Sequence, residues 1–207
     1  MFIFFGFVAT SRRYLLFSSS LFDHTMTSNV CLSISLLSAV HLLFFYVGKQ
    51  SSQVAILDFG SQYSHLIARR VREMHVYCEL YSCLVDAKEL EEHDIVAIIL
   101  SGGPNSVYEE GSPHVSQAVW DLIKTRQIPV LGICYGMQEM AHTLGGEVIK
   151  GLKHEYGKAV AHRSPGCNSI LFQDMPEEFT MWMSHGDKLS KVPDGFKPVG
   201  TCSLCDE

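Results

Sequence analysis

The residue with the clearest potential for chemistry is Cys134, which ends the short apolar run Val130–Ile133. Glycines stand two residues before and two residues after it, and helical spacing of apolar residues follows at once. This is the cysteine form of the G-x-S-x-G nucleophile elbow, in which a strained turn between strand and helix projects the nucleophile. The N-terminus of the following helix favours the reactive thiolate. A buried cysteine that only fills space is the alternative, but it does not explain the two glycines. We therefore predict that Cys134 is a nucleophile.

A second candidate segment, Ser-Gly-Gly-Pro at 101–104, follows the uninterrupted apolar run 95–100. Attack of a thiolate on a carbonyl needs backbone N–H donors for the developing oxyanion. One donor is the residue after the nucleophile, Tyr135, and the other must come from a neighbouring strand-end loop, where glycine permits close approach. An ordinary turn is one alternative. A phosphate loop of the ATP-pyrophosphatase type is disfavoured, because Pro104 lacks an N–H and Asn105 replaces the expected aspartate. We predict an oxyanion loop.

The elements that must position these residues alternate between strand and helix. Strands are predicted at 54–59, 76–80, 95–100 and 130–133. Helical faces are predicted from apolar spacing: Leu66, Ile67, Val71 and Met74; Val115, Ala118, Val119 and Leu122; Met137, Met140, Ala141 and Leu144. Such alternation predicts an α/β fold with a doubly wound, mostly parallel sheet. Ligands bind such sheets at the carboxyl ends of the strands, where Cys134 and both loop glycines fall.

Composition limits the class of protein. The chain has 207 residues, which suits one domain with an addition, and 47% hydrophobic residues supply a core. A net charge of −6 argues against nucleic acid as a partner. Seven cysteines at irregular spacing do not indicate a disulfide framework, and a catalytic thiol favours a reducing compartment such as the cytosol. Cys202-x-x-Cys205 supplies too few ligands for a structural zinc site, so no metal is predicted.

Residues 1–50 differ from the rest of the chain. They contain four charged side chains: Arg12, Arg13, Asp23 and Lys49. The 18-residue run 30–47 is uncharged and just long enough to span a bilayer. A membrane anchor is therefore one interpretation, a late signal sequence is another, and a leader outside the functional protein is the third. We favour the third, with the functional domain over 51–207, because a complete α/β pattern begins near Gln53.

Together these motifs identify a resemblance to the class I (triad) glutamine amidotransferases, which have a flavodoxin-like fold. The matching segments are Gly-Ile-Cys-Tyr-Gly-Met-Gln at 132–138, Ser-Gly-Gly-Pro at 101–104 and Met-Ser-His-Gly-Asp at 183–187. Within that family, Leu-Asp-Phe-Gly-Ser-Gln-Tyr at 57–63 and Glu-Tyr-Gly at 155–157 are similar to the amidotransferase domains of GMP synthases. The resemblance covers about residues 53–199.

The resemblance implies a mechanism. Cys134 would attack the side-chain amide of glutamine, release ammonia and leave a γ-glutamyl thioester that water hydrolyses. The oxyanion would be held by Gly103 and Tyr135. Glutamine would be positioned by Gly102, Gln138, Ser184 and His185. No cofactor is implied for this chain; ATP and Mg²⁺ belong to a separate ATP-pyrophosphatase synthetase domain, which would use the ammonia to convert XMP into GMP in purine biosynthesis.

The sequence departs from the family at the general base. The family takes its base and orienting acid from a late His-Pro-Glu motif, and no such run occurs in the 207 residues. The nearest imitation, His154-Glu155, lacks the proline. From the residues alone His185 would be the base, whereas the resemblance gives it a positioning role. We therefore predict a C-terminally truncated sheet and impaired glutaminase activity. The alternatives are a noncatalytic amidotransferase module, an amidotransferase subunit of another pathway, or a different cysteine hydrolase with the same architecture.

Overall fold

The computed structural model describes residues 2–5, 15–17, 52–166, 169, 172 and 175–202. The strands are β1 Phe2–Phe5, β2 Leu15–Phe17, β3 Ser52–Asp58, β4 Cys78–Ser82, β5 Asp94–Leu100, β6 Val130–Ile133, β7 Glu147–Arg163, β8 Glu178–Lys191 and β9 Lys197–Cys202. The helices are α1 Ser64–Glu73, α2 Ala87–Glu91, α3 Gln117–Arg126 and α4 Tyr135–Thr143.

The strands form two sheets. The five-stranded sheet has the order β2-β6-β5-β3-β4 and is parallel throughout. The four-stranded sheet has the order β1-β9-β7-β8 and is antiparallel. The chain leaves β3 toward one edge of the parallel sheet and leaves β5 toward the other, so a switch point lies between these two central strands. In doubly wound folds the ligand crevice opens outside the carboxyl ends of the strands at such a point.

Strand β3 shows why the predicted strands are apolar throughout. Ala55 and Leu57 pack into one core cluster, which includes Trp120 of α3 and Met140 of α4. Val54 and Ile56 pack into the cluster on the other face, with side chains from α1 and from the antiparallel sheet. Successive side chains of a strand point to opposite faces, and both faces of this sheet are covered. The predicted α/β fold with a mostly parallel, doubly wound sheet is confirmed.

Some predicted element boundaries are wrong. The second strand of the parallel sheet is Cys78–Ser82 rather than 76–80. The chain turns after α1 at His75, which has a φ of 59°, and the N–H of Val76 still bonds to the carbonyl of Val71. Val76 therefore belongs to the turn that closes α1 and not to the strand.

The face predicted for α3 is also corrected. Ser116 caps this helix, its side chain accepting from the N–H of Val119, so Val115 precedes the helix. Ala118 is exposed, and Trp120 and Ile123 complete the buried face in its place.

Two strands from the first 50 residues join the sheets. In β1, Phe2 pairs with Thr201 of β9, and in β2, Leu15 pairs with Leu131 of β6. The domain boundary near residue 51 stays a prediction. Within the described part of the chain, no helix is long and apolar enough to cross a membrane; the predicted apolar segment 30–47 lies outside the described residues.

Candidate active site

Cys134 sits in a sharp, strained turn between β6 and α4. Its backbone has φ 49° and ψ −110°, a conformation that costs a non-glycine residue about 1–3 kcal/mol and is found where function requires it. A Cβ added to Gly132 would lie 2.7 Å from the backbone nitrogen of Met137. A Cβ added to Gly136 would lie 2.5 Å from the Cβ of Leu100. Neither contact leaves room for a side chain, so both glycines are needed for the elbow to close.

The first turn of α4 begins at this cysteine. The carbonyl of Cys134 accepts from the N–H groups of Met137 and Gln138, at 3.0 and 3.1 Å. The half-buried Cys134 side chain therefore leaves the chain at the positive end of the helix dipole, which favours negative charge on the sulfur.

Ser101, which follows β5, is bonded to the end of β3 and to the first turn of α4 beside the elbow. Its N–H donates to the carbonyl of Leu57 at 3.0 Å, and its carbonyl accepts from the N–H of Gly136 at 2.9 Å. Its Oγ accepts from the N–H of Phe59 at 3.1 Å. Because Ser101 is fully buried, these bonds fix the start of the predicted oxyanion loop relative to both β3 and the elbow.

The two glycines after Ser101 face the elbow. A Cβ on Gly102 would lie 3.6 Å from the Cβ of Cys134, so this backbone runs directly beside the cysteine. A Cβ on Gly103 would lie 2.9 Å from the carbonyl oxygen of Phe59 and 3.3 Å from Cγ of Tyr135. The absence of a side chain at Gly103 therefore lets the loop approach Phe59 and Tyr135 closely, whereas a Cβ at Gly102 would make only an ordinary van der Waals contact with Cys134.

Asp58 is a positioning residue that the sequence reasoning missed. Its Oδ1 accepts from the N–H groups of Gly60 and Ser61, at 3.0 and 3.1 Å, and from the hydroxyl of Ser64 at 2.6 Å. These bonds hold the β3–α1 turn in the crevice, where the Oγ of Ser61 lies 3.6 Å from the Cβ position of Gly102. An aspartate at the end of a strand, two residues before Gly-Ser, is a turn signal that could have identified it.

Tyr135 is held both by its ring and by its hydroxyl. Its ring lies 5.1 Å from that of Phe59, and its hydroxyl donates to the carbonyl of Pro113 at 2.7 Å. Burial, assisted by the charge of Glu139, raises the pKa of Tyr135 to about 12. The neutral hydroxyl and the fixed ring leave the backbone N–H of Tyr135 in a constant position next to Cys134.

Glu139 is a second residue that the sequence reasoning missed. Its carboxylate is fully buried, accepts from the N–H of Val115 at 3.0 Å and pairs with Nδ1 of His114 at 2.8 Å. This histidine–carboxylate pair is not placed to serve Cys134. Five residues along an α-helix correspond to about 7.5 Å of rise and about 140° of rotation. The pair instead ties residues 113–115 to α4.

The remaining predicted site residues lie on two elements. Gln138 is buried in the first turn of α4. Ser184 and His185 lie in β8, opposite Tyr156 and Glu155 of β7. The structure thus groups Gly102, Gly103, Tyr135 and Gln138 around Cys134. Ser184 and His185 lie on a different element, strand β8 of the antiparallel sheet, and their part in the site stays a prediction.

No metal-binding group emerges from the described residues, among which no three or more His, Cys, Asp or Glu side chains are placed to hold an ion. Cys202 is buried in β9, and Cys205 lies outside the described residues. The chemistry that this arrangement supports is attack by a cysteine on a carbonyl carbon.

Comparison with known proteins gives a consistent result. The family model for class I glutamine amidotransferases matches residues 55–206. Over 151 residues the chain is 50% identical to a GMP synthase (glutamine-hydrolysing) of Schizosaccharomyces pombe, covering 71% of this chain and 27% of that protein. Over 154 residues it is 51% identical to the GMP synthase of Neisseria meningitidis, covering 74% and 29%. The chain therefore spans less than a third of the length of these curated relatives.

Solved structures agree with the fold. A protein of Thermoplasma acidophilum, assigned as one of the subunits of a GMP synthase, superimposes with a TM-score of 0.63 at 29% identity, over 75% of each chain. A glutamine amidotransferase of Thermotoga maritima gives a TM-score of 0.52 at 22% identity, over 74% of this chain and 67% of its own, and supports the fold alone. The chain belongs to the class I glutamine amidotransferase family.

Proposed function

We propose that the Cys134 site is the ammonia-supplying glutaminase site of a GMP synthase. The observation that carries this proposal is the strained backbone of Cys134 next to Gly102, at the N-terminus of α4. A buried structural cysteine has no need of that strain. In a class I amidotransferase a cysteine in this position has one substrate class, the side-chain amide of glutamine.

In the proposed reaction, the Cys134 thiolate attacks the amide carbon of the glutamine side chain. The resulting oxyanion lies between the N–H groups of Gly103 and Tyr135. The carbon–nitrogen bond then breaks, the nitrogen takes up a proton and leaves as ammonia, and a γ-glutamyl thioester remains on Cys134. Water attacks the thioester, and glutamate leaves with regeneration of the thiol. Gly102, Gln138, Ser184 and His185 are the residues that we assign to glutamine positioning.

Protonation of the departing ammonia is the step for which these residues offer no evident donor. The 207 residues contain no His-Pro-Glu run, and the described His114–Glu139 pair lies away from Cys134. A polypeptide of these 207 residues is therefore proposed to bind glutamine but to turn it over slowly, because general acid catalysis contributes about 10²–10⁴-fold.

The wider role rests on the relatives. Both GMP synthases are named as glutamine-hydrolysing. We infer that the ammonia serves amination of XMP to GMP in purine biosynthesis by a synthetase domain that uses ATP and Mg²⁺. A reactive cysteine favours the cytosol, where thiols stay reduced.

The test is covalent labelling of Cys134 by a diazoketone analogue of glutamine, followed by mass spectrometry. We expect one adduct at Cys134, protection by glutamine, and no adduct in Cys134→Ala. The matched control is Cys83→Ala, which removes a buried thiol outside the site and should be labelled like the unchanged chain. Alkylation of Cys134 by iodoacetamide without labelling by the analogue would contradict the proposal and favour a cysteine hydrolase of another kind.

A noncatalytic module is the second candidate function. It is favoured by the missing His-Pro-Glu run and predicts glutamine-protected labelling without any glutamate release. Release of glutamate at a rate typical of intact amidotransferases, abolished by Cys134→Ala, would exclude it.

A further inference from the structure

A hydrogen bond joins the loop beside Cys134 to the antiparallel sheet. The hydroxyl of Tyr108 donates to Oδ1 of Asp187 at 2.9 Å, between residues 79 positions apart in the chain. Tyr108 lies in the segment 104–116, which continues from Gly102 and Gly103 to α3. Asp187 lies in β8, two residues after His185. The bond therefore spans the two groups of proposed glutamine-positioning residues.

The loop side of this bond is rigid. Val107 is fully buried next to Tyr108. The hydroxyl of Ser112 donates to the carbonyl of Ser106 at 2.6 Å and closes the loop on itself. Farther along, the N–H of Val115 is held by Glu139. Tyr108 is 43% exposed, yet the backbone that presents it is fixed on both sides.

The hydroxyl of Tyr108 stays a donor at physiological pH. A hydrogen bond from Ser106 lowers its pKa, but burial and the hydrogen bond to the Asp187 carboxylate raise it, and the pKa is raised in total. The phenol of Tyr108 therefore keeps its proton, and its hydroxyl can donate to the carboxylate of Asp187.

The pairing of β8 with β7 is irregular near Asp187, so the hydrogen bond from Tyr108 adds support at this point. Lys150 of β7 pairs with Asp187, whereas the next pair is Glu155 with His185, so the register shifts between Lys150 and Glu155. Residues 151–154 thus stand opposite Gly186 alone. An irregular ladder of this kind holds its strand less firmly than a continuous one, and it lies between Asp187 and the proposed substrate-positioning residues Ser184 and His185.

We propose that Tyr108 is a positioning residue for glutamine: its bond to Asp187 holds β8 at the distance from Gly102 and Gly103 at which Ser184 and His185 reach the substrate. This inference rests on the proposed function. Because Cys134 and Tyr135 are fixed by β6 and α4, loss of the bond should weaken substrate affinity and leave the reactivity of the thiolate unchanged.

The test measures inactivation of the full chain by the diazoketone analogue over a range of concentrations, which separates affinity (KI) from the maximal rate of labelling. For Tyr108→Phe we expect KI to rise about 3- to 10-fold, as for loss of a hydrogen bond to a charged group that is partly exposed. The maximal rate, and the rate of alkylation by iodoacetamide, should stay within about twofold of the unchanged chain.

The matched control is Tyr77→Phe, which removes an exposed hydroxyl that also donates to a carboxylate, that of Glu79, just before β4. Its KI should not change. In an Asp187→Ala background, Tyr108→Phe should produce no further rise in KI, whereas a merely independent effect of the tyrosine would add to it.

Three outcomes would overturn the inference. The first is an unchanged KI in Tyr108→Phe while the unchanged chain is labelled, which leaves the proposed function intact. The second is an equal effect of Tyr108→Phe with and without Asp187. The third is failure of the analogue to label the unchanged chain although iodoacetamide alkylates Cys134, which refutes the proposed function together with the inference.

Discussion

The buried carboxylate of Glu139 leads to a quantitative prediction of stability. It lies inside α4 with none of its surface exposed, and its two oxygens have separate partners. Oε1 accepts from the N–H of Val115 and Oε2 pairs with His114. Since Pro113 of the same segment accepts from Tyr135, the carboxylate is part of the attachment of residues 113–115 to the helix that begins at Cys134.

Replacing Glu139 by alanine or by glutamine should have different costs. Glu139→Ala leaves the N–H of Val115 buried without a partner and removes packed atoms, so we expect a loss of about 3 kcal/mol. Glu139→Gln keeps an acceptor for Val115 and offers an amide donor to a neutral His114. Its expected cost is about 1 kcal/mol, since only the charge on the bond is lost.

Urea unfolding of the full chain, followed by far-UV circular dichroism, measures both free energies. His114→Ala is the control, because the side chain of His114 is 42% exposed and water can replace it; we expect a cost below about 1 kcal/mol. A cost of less than about 1 kcal/mol for Glu139→Ala, or an equal cost for glutamine and alanine, would contradict this role of the carboxylate.

Three further predictions concern the elbow, pH and turnover. Gly132→Ala should destabilise the fold by about 1–3 kcal/mol or more, because its Cβ meets backbone atoms. The Cβ of Gly102→Ala would lie 3.6 Å from that of Cys134, so this variant should keep a nearly unchanged melting temperature; equal melting temperatures of the two variants would contradict the prediction. Burial raises the pKa of both Tyr81 and Tyr135 to about 12, so the unfolded chain loses these protons first and stability should fall as pH rises from about 10 to 12; titration followed at 295 nm, with all tyrosines ionising near 10, would show otherwise. A polypeptide of these 207 residues, mixed with glutamine and quenched in acid, should yield a glutamyl adduct on Cys134 with slow release of glutamate; rapid steady-state release would contradict the proposed lack of a proton donor.

The elbow and the sheet could be predicted because their determinants are local. Gly132, Cys134 and Gly136 lie within one short run, and the collisions that require the two glycines involve that run and the end of the neighbouring strand. The parallel sheet followed from apolar runs such as Ile95–Leu100, whose uninterrupted character reflects burial on both faces.

The supporting interactions could not be predicted because they depend on distant partners. The role of Glu139 depends on contacts with Val115 and His114, which lie 24 and 25 residues earlier, and nothing in the sequence around Glu139 indicates them. Tyr108 and Asp187 meet across 79 residues. The wrong boundary of β4 arose in a different way. His75 adopts a positive φ that its residue type does not predict, and the turn that closes α1 therefore reaches Val76.

The bonds of Ser101 have a consequence for how the chain folds. Phe59 and Ser101 are separated by 42 residues, and the elbow follows only after a further helix and strand. The crevice therefore does not exist until β3, β5 and β6 have paired, and parallel pairing over such separations is slow to form. The thiol of Cys134, in contrast, is present at every stage of folding. A chain caught during refolding should expose a thiol that iodoacetamide alkylates but that a glutamine analogue ignores. The ratio of the two labelling rates would then report how far assembly of the sheet has progressed.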